Sequence, residues 1–313
     1  MEIYASIEDD PLPALERDDV VAIKLHMGER GNKAHVRPED VALLVKRIRQ
    51  MGARVFLADT TTLYHRKRYT VEDYLETARL NGFDEESIGC PIVIADEHGG
   101  KRVDGIDVAK GLLEANCLIV FSHATGHITT GFAAAVKNVA MGCVTKRGKR
   151  YIHSAGWPRY REDLCERCGD CTEACPFGFL VLKDAIQLNL KDCPACERCL
   201  NACPTGALYR PEGAMEECYR RYAQSFKAVV SCFEKVFYIN ELNRVTRFCD
   251  CSTDPGQVLC DGLGFVASED AVELDLKSVE IIARGNPEAR ELFGEKWENF
   301  SRHVLGRITE RND

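Results

Sequence analysis

The chain has 313 residues, of which 45% are hydrophobic and 29% charged, and its formal net charge is −8 at pH 7. This length predicts one large domain or two modest ones with a sizeable core, and the acidic balance argues against nucleic acid as a partner. No apolar run reaches the roughly 18 residues of a membrane span, and the N-terminus lacks the basic and apolar regions of a signal peptide. We therefore expect a cytoplasmic protein with neither a membrane nor a nucleic-acid partner.

The first 143 residues alternate short apolar runs with stretches of helical spacing. The predicted elements of this part are strands at Val20–Leu25, Arg54–Ala58, Pro91–Ala95 and Cys117–Phe121, and helices at Pro38–Gln50, Val71–Leu80, Val108–Ala115 and Thr130–Met141. After residue 210 the pattern resumes with helices at Met215–Val230, Asp270–Ala283 and Pro287–Arg307 and strands at Val236–Asn240 and Gly264–Ala267. Such alternation predicts an α/β fold, a parallel sheet covered by helices.

The chain contains sixteen cysteines. In the cytosol they are expected to stay reduced and to act as metal ligands or catalytic thiols. Eight of them form a repeat, in which Cys165-x2-Cys168-x2-Cys171-x3-Cys175-Pro recurs as Cys193-x2-Cys196-x2-Cys199-x3-Cys203-Pro.

This spacing is that of bacterial modules with two [4Fe–4S] clusters, in which the fourth cysteine of each run ligates the other cluster. It predicts one cluster on Cys165, Cys168, Cys171 and Cys203, and a second on Cys193, Cys196, Cys199 and Cys175. The alternative is structural zinc, which also takes four thiolates but usually from two cysteine pairs separated by a longer spacer.

The segment around this repeat resembles two-cluster ferredoxins, which implies one-electron transfer at low potential. It also interrupts the α/β pattern. We therefore predict a parallel-sheet α/β domain in two parts, residues 1–159 and 211–313, and a small α+β ferredoxin-type insertion at residues 160–210.

Polar loops follow the predicted parallel strands. Because ligands of open α/β sheets bind beyond the carboxyl ends of the strands, these loops predict a binding or catalytic cleft. The candidate catalytic residues are His26, His127 and Lys137, and the candidate cofactor-binding residues are Asp59, Asp96, His123 and His153. A solvent-exposed structural role is the alternative for each residue taken singly.

Lys137 follows three alanines at 133–135, which allow its helix to pack closely on the sheet or on a ligand. A lysine beside such an apolar face can have a lowered pKa and act as a nucleophile or base. The alternative is a lysine whose stem lies along the helix edge with its charge in solvent. The basic run Lys146–Arg150 is interpreted as a solvated loop, and a docking site for an acidic partner or an anionic substrate is the alternative.

Several stretches carry a family resemblance: KLHMGERGN, ADTTTLYH and SHATGHITTGFAAAVKNVAMGC, together with the inserted cysteine repeat. They resemble the family described only as uncharacterised iron–sulfur centre proteins, a domain of unknown function. The resemblance covers nearly the whole chain and implies iron–sulfur clusters, but it supplies no reaction.

A more distant likeness concerns His127-x3-Gly131-Phe132-x4-Lys137 and His153. This pattern is similar to the cofactor-binding stretch of lactate racemase, in which a lysine holds a nickel-pincer nucleotide covalently. The resemblance implies attachment at Lys137, nickel ligation by His153 and a base role for His127.

A third group of thiols comprises Cys249, Cys251 and Cys260. A disulfide between two cysteines separated by a single residue is strained in an extended chain, so pairing of Cys249 with Cys251 is not expected. Cys249 and Cys251 could instead form a further metal or redox site, with structural cysteines as the alternative. Cys232 or His303 could join that site, whereas Cys90, Cys117, Cys143 and Cys218 are interpreted as small buried apolar residues.

Three functions fit these features. The first is a redox enzyme in which the clusters pass single electrons to a small-molecule substrate or a further cofactor at the strand ends. The second is an electron carrier or scaffold subunit of a larger redox complex, and the third is an isomerase or racemase of nickel-pincer type. The first two need a redox partner protein, a ferredoxin or a reductase. The absence of a G-x-G-x-x-G pattern argues against a nicotinamide or flavin bound in Rossmann fashion.

Overall fold

The structure is a computed structural model that describes residues 1–9 and 11–310. Its strands, in chain order, are β1 (Val20–Lys24), β2 (Arg54–Asp59), β3 (Ile92–Ile94), β4 (Gly100–Val103), β5 (Ile106–Ala109), β6 (Cys117–His123), β7 (Thr125–His127), β8 (Gly131–Ala133), β9 (Arg159–Tyr160), β10 (Leu180–Leu182), β11 (Ile186–Leu188), β12 (Leu208–Tyr209), β13 (Lys235–Glu241), β14 (Val245–Thr246), β15 (Val258–Cys260) and β16 (Phe265–Ser268).

A sheet of six strands organises the described residues, in the order β16-β13-β6-β1-β2-β3. All neighbouring pairs are parallel except β13 and β16, which run antiparallel at one edge. An antiparallel edge strand on an otherwise parallel sheet is common in folds of this kind. The carboxyl ends of β1, β2, β6 and β13 therefore meet at one side of the sheet.

The helices, in chain order, are α1 (Pro38–Gln50), α2 (Val71–Leu80), α3 (Glu85–Ile88), α4 (Ala135–Gly142), α5 (Lys146–Ser154), α6 (Asp170–Glu173), α7 (Arg198–Asn201), α8 (Ala214–Val230), α9 (Ala271–Gly285), α10 (Pro287–Phe300) and α11 (Gly306–Thr309). Short 3-10 turns cover Lys110–Glu114, Glu162–Leu164 and Leu190–Asp192, and a π-helical turn covers Ser301–Leu305.

Apolar cores lie on both faces of the sheet. Along β6, Cys117, Ile119 and Phe121 pack into one core with α1 and α2, whereas Leu118 and Val120 pack into the other core with α4, α8 and α9. This alternation follows from the two-residue period of a strand. A strand buried on both faces needs apolar residues at every position, which explains the continuous apolar run of β6. The predicted α/β class with a parallel sheet is confirmed.

Two predicted helices differ from the structure. Residues 106–109 form β5 in a hairpin with β4, and only a 3-10 turn follows. The helix predicted from Thr130 begins instead at Ala135, because Gly131 adopts a φ of +74° and Gly131–Ala133 pair with β7. A Cβ at Gly131 would lie 2.3 Å from the carbonyl oxygen of Phe293, so that close approach of α10 requires glycine.

A helix was also missed. The basic run predicted to be a solvated loop forms α5, whose N-cap Thr145 accepts a hydrogen bond from the amide of Gly148. Lys149 in this helix is buried. The prediction failed because a run of basic residues is ordinarily solvated, whereas this helix turns Lys149 towards the sheet.

The Cys-rich segment, residues 160–210, has an apolar cluster of its own and small antiparallel pairs, β10 with β11 and β9 with β12. Its structure repeats with the spacing of the cysteines. Left-handed backbone conformations recur 28 residues apart at Arg167 and Ala195 and at Gly169 and Glu197, where α6 and α7 begin. The domain boundaries at 160 and 210 stay a prediction.

Ion pairs join the Cys-rich segment to the rest of the chain. Arg150 of α5 pairs with Asp192 at 2.7 Å, and Lys296 of α10 pairs with Glu197 at 3.2 Å. The indole Nε1 of Trp157 also donates to the carbonyl oxygen of Cys193 at 2.9 Å. These contacts hold the second cysteine run against the α/β part. No helix of the described residues is both long enough and apolar enough to cross a bilayer.

Candidate functional site

A cavity of about 370 Å³ lies at the carboxyl ends of the parallel strands, between the α/β part and the Cys-rich segment. We call it the strand-end cavity. Of the residues predicted to form the cleft, it is lined by His26, Asp59, His127, Lys137 and His153. Asp96 and His123 do not line it and have positioning contacts instead.

Asp59, at the end of β2, is part of a buried polar network. Its Oδ1 forms an ion pair with Nζ of Lys24 at 2.9 Å, and its other oxygen accepts a hydrogen bond from the hydroxyl of Tyr74. Nζ of Lys24 also donates to Asn138 Oδ1 at 2.6 Å. Because each charge has a partner, these buried groups are satisfied, and they link β1, β2 and α4 at the cavity floor.

Asp96 positions the loop after β2. Its carboxylate accepts hydrogen bonds from the amide of Thr61 at 2.8 Å and from the Thr61 hydroxyl at 2.6 Å. The loop of Thr60, Thr61 and Thr62 lines the cavity. Asp96 therefore acts on the site through this loop.

Lys137 projects from the first turns of α4 and lines the strand-end cavity. The helix is anchored by Asp275 of α9, whose carboxylate accepts the amides of Ala135 and Val136 at 2.9 and 3.0 Å. Burial lowers the pKa of Lys137 to about 8, and the positive charges of Lys24 and Arg68 contribute. At neutral pH the amine is mostly protonated, and a minor fraction is neutral and therefore nucleophilic.

Lys149 and His153 reach the cavity from α5. Nζ of Lys149 donates to Thr60 Oγ1 at 2.5 Å and to the carbonyl oxygens of Thr61 and Val144 at 2.8 and 2.9 Å. Burial lowers the pKa of Lys149 to about 8. Burial and the charges of Lys137 and Lys149 lower the pKa of His153 to about 3, so this imidazole is neutral.

His127 is held by the turn that follows β7. Its Nδ1 faces the amides of Thr129 and Thr130, which donate to it at 3.2 Å each. Burial and the charge of Lys137 lower its pKa well below the ordinary value. In the neutral ring an accepting Nδ1 leaves the proton on Nε2. This arrangement favours a hydrogen-bond donor over the predicted base.

His26 follows β1, and its ring has the same arrangement as that of His127, with Nδ1 as the hydrogen-bond acceptor. Its Nδ1 accepts the amide of Gly28 at 3.0 Å, and its Nε2 is buried without a partner among the described residues. Burial and the charges of Arg68 and Lys24 lower its pKa well below the ordinary value. The neutral ring therefore carries an unpaired Nε2–H donor.

His123 ends β6 and binds the loop that carries Cys249 and Cys251. Its Nδ1 lies 2.8 Å from Asp250 Oδ1 and its Nε2 lies 2.9 Å from the carbonyl oxygen of Asn243. Burial alone would lower its pKa, but Asp250 raises it to about 9. Both ring nitrogens face acceptors, so His123 is an imidazolium that fixes this loop.

Cys249 and Cys251 line the strand-end cavity and are joined by a disulfide. The expectation that no cysteine would pair is wrong at these two positions, because the turn between them brings their Cα atoms to 5.3 Å, within the usual range for a disulfide. Ser252 donates its amide to the carbonyl oxygen of Cys249 at 2.9 Å within this turn. A ring nitrogen of His127 and the two sulfurs all lie within 4.8 Å of one another, so the reduced pair could hold a metal ion with His127.

The eight cysteines of the repeat fall into two groups of neighbours. Burial raises the pKa of Cys171, and the next contributions come from Cys203, Cys168 and Cys165. Burial likewise raises the pKa of Cys193 to about 12, with contributions from Cys196, Cys199 and Cys175. The fourth cysteine of each run thus lies beside the other run.

The two groups differ in exposure. The first group contains the exposed Cys168 and one buried thiol, Cys171, whereas the second contains two buried thiols, Cys193 and Cys199. Cys196 of the second group lines the strand-end cavity, together with Pro194 and Arg198. The second cysteine group therefore forms part of the cavity wall.

Sequence reasoning missed Arg68, Lys24 and Lys149 as cavity residues. Arg68 lies in a basic stretch before α2, where a solvated position is the ordinary expectation. It is instead 3% exposed, with Nε donating to Glu29 Oε2 at 3.2 Å. The only sequence signal was the presence of basic residues beside polar strand-end loops.

A family model described as domain of unknown function (DUF362) matches residues 21–280. No match was found among curated proteins. A crystal structure of a protein from Thermotoga maritima, solved by the Northeast Structural Genomics Consortium, matches 92% of this chain with 11% sequence identity and a TM-score of 0.41. The chain spans 56% of that protein's length. Because the family model covers well over half of the residues, this chain belongs to the DUF362 family.

Proposed function

We propose that the chain is an iron–sulfur redox enzyme in which each cysteine group holds a [4Fe–4S] cluster and single electrons pass to a molecule in the strand-end cavity. One observation carries this proposal. Cys196, a ligand of the second cluster, lines the same cavity as Lys137, His127 and His153. A plain carrier needs no such cavity beside its cluster.

The donor set fits cubane clusters better than single zinc ions. Four thiolates around one zinc, at Zn–S distances near 2.3 Å, lie about 3.8 Å from one another. Among the described residues, no three of the eight repeat sulfurs all lie within 4.8 Å of one another. Wider groups of four thiols suit a cluster with one iron at each corner.

The backbone around the sulfurs also suits clusters. The amides of Phe179, Ala195 and Leu208 donate to the sulfurs of Cys175, Cys193 and Cys203, each at 3.4 Å. Hydrogen bonds to the sulfurs tune the potential of such clusters. The raised pKa values of the buried thiols mean that iron must displace their protons on binding, as is general for thiolate ligands.

The difference in exposure gives the electron path a direction. Cys168 at the surface suits entry of electrons at the first cluster from a redox partner protein, a ferredoxin or a reductase. The second cluster suits delivery, because Cys193 and Cys199 are buried and Cys196 lines the cavity. When bound, the clusters supply one-electron transfer at low potential. This chain's own residues then bind, orient and protonate the acceptor.

The test is anaerobic purification with counts of iron, acid-labile sulfide, nickel and zinc per chain, followed by EPR after dithionite reduction. We expect about eight irons and two interacting reduced clusters. Cys196→Ser should lower iron to about four and leave one EPR signal. Cys232→Ser is the matched control, because Cys232 is half-buried outside the repeat. Zinc without labile sulfide in the wild type would overturn the proposal.

A second candidate is a nickel-pincer isomerase. The observation that favours it is the convergence of Lys137, His153 and His127 on one cavity, the residues that the resemblance to lactate racemase singles out. Against it, Nδ1 of His127 already accepts backbone amides, which suits a donor rather than a base. Stoichiometric nickel with a covalent adduct on Lys137 in mass spectra would support this candidate.

A further inference from the structure

The charge of the strand-end cavity is opposite to that of the whole chain. Although the chain carries a net charge of −8, six basic side chains and two acidic ones line the cavity. The basic residues are Lys24, Arg66, Arg68, Lys137, Lys149 and Arg198, and the acidic residues are Asp59 and Asp254. Asp59 is already paired with Lys24, and Asp254 is exposed. Arg68 is likewise paired with Glu29 at 3.2 Å, and the four remaining cations still leave the cavity lining with an excess of positive charge.

Two buried hydrogen-bond donors at the cavity have no acceptor in the part of the chain that the structure describes. Arg68 is only 3% exposed, and its Nη2 is buried without a partner among the described residues. Nε2 of His26 is buried and unpartnered in the same way. A buried donor without an acceptor costs roughly 1–3 kcal/mol, so such groups call for an explanation. A ligand that brings acceptors would supply the missing bonds.

Lys137, which is half-buried, also presents its amine to the cavity. In the described part of the chain no hydrogen bond or ion pair involves it, and it lies close enough to Lys24 and Arg68 for their charges to act on it. Neighbouring positive charges repel one another in a partly dehydrated site. A bound anion would relieve that repulsion.

We infer that the strand-end cavity binds a small molecule through a carboxylate or phosphate group held by Arg68, His26 and Lys137. The planar guanidinium matches the two oxygens of such a group, and lysine adds a point charge. The volume of about 370 Å³ leaves room for the rest of the molecule to extend towards Cys196. This inference names the substrate class of the proposed redox site and rests on that proposal for the reaction, but not for binding.

The test is isothermal titration of the full chain, purified anaerobically, with inorganic phosphate, with oxalate and with neutral oxamide. We expect saturable binding of at least one anion and none of oxamide; the preferred anion distinguishes phosphate from carboxylate. Lys137→Met should weaken binding at least about tenfold, as expected for loss of a buried charge partner. Lys110→Met, at an exposed lysine outside the cavity, is the matched control and should bind as the wild type does.

Arg68 needs a paired variant because its loss alone would leave Glu29 buried without its partner. Glu29→Gln/Arg68→Gln removes both charges and should also weaken anion binding at least about tenfold. Failure of the wild type to bind either anion, equal binding of oxamide, or equal weakening by Lys110→Met would overturn the inference. Iron and sulfide counts on the same samples separate the two proposals. Clusters without anion binding would contradict only the anion site, and anion binding without clusters would contradict only the redox function.

Discussion

His123 and Asp250 join the end of β6 to the loop of Cys249 and Cys251 through a buried contact of 2.8 Å. Asp250 stands between the two cysteines in sequence, and its carbonyl oxygen accepts the amide of Glu29 at 2.9 Å. The disulfide therefore faces the strand-end cavity because the aspartate beside it is tied to the sheet.

Asp250→Asn should destabilise the fold by about 1–3 kcal/mol at neutral pH, because His123 loses its charged partner. The raised pKa of His123 fixes the pH dependence. Its contribution is complete below pH 6.5, the ordinary value, and is lost as the pH rises through about 9. Thermal unfolding of the two proteins from pH 6 to 10 should converge at the alkaline end. Asp254→Asn, at an exposed neighbour, serves as control, and a difference that persists at high pH would contradict this account.

Gly142→Ala should displace Lys24. A Cβ at this position would lie 2.5 Å from Nζ of Lys24, which is fixed by Asp59 and Asn138. We expect a loss of about 1–3 kcal/mol in the free energy of unfolding, as for other overpacked cores. Chemical denaturation measures it. Gly306→Ala, where a Cβ meets nothing within 4 Å, should be neutral or stabilising by up to about 1 kcal/mol; equal losses in both variants would refute the steric cause.

The reactivity of Lys137 should rise with pH in step with its lowered pKa. Reductive methylation followed by mass spectrometry should give a half-maximal rate at Lys137 near pH 8. Exposed Lys110 in the same digest is the internal reference. A profile for Lys137 that matches that of Lys110 would show that its ammonium is not dehydrated in the cavity.

The number of free thiols tests for the disulfide between Cys249 and Cys251. Denaturing alkylation of the unreduced chain should label 14 cysteines, and reduction should raise this to the full 16. Cys249→Ser should give 15 labels with or without reductant, since its former partner Cys251 becomes free. Sixteen labels before reduction, together with a metal ion that Cys249→Ser loses, would instead identify the two sulfurs and His127 as metal ligands.

Local patterns predicted much of this molecule. The continuous apolar run of β6 and the helical spacing of α1 predicted the α/β class, whereas the assignment of the eight repeat cysteines to two clusters stays a prediction. The family resemblance was confirmed at the level of a domain of unknown function. Short-range periodicity sufficed here because strand and helix faces depend on residues two to four apart.

The same patterns were wrong where long-range packing overrides them. Gly131 turns a predicted helix into a strand because α10 passes against it, and α5 carries a lysine into the interior where a solvated loop was expected. His123 and Asp96, which were predicted to bind a cofactor, lie outside the cavity lining and hydrogen-bond to its loops, and their cofactor role stays a prediction.

By itself, the sequence determined the sheet, the polar strand ends and the paired cysteine runs, because each of these depends on residues close together in the chain. Only the tertiary structure decided which polar groups share a cavity. Arg68, Lys137 and Cys196 meet there because strand order and the docking of the Cys-rich segment join positions far apart in sequence. Burial leaves donors of Arg68 and His26 without acceptors among the described residues, and that imbalance, which no local pattern records, is the reason to expect an anionic ligand.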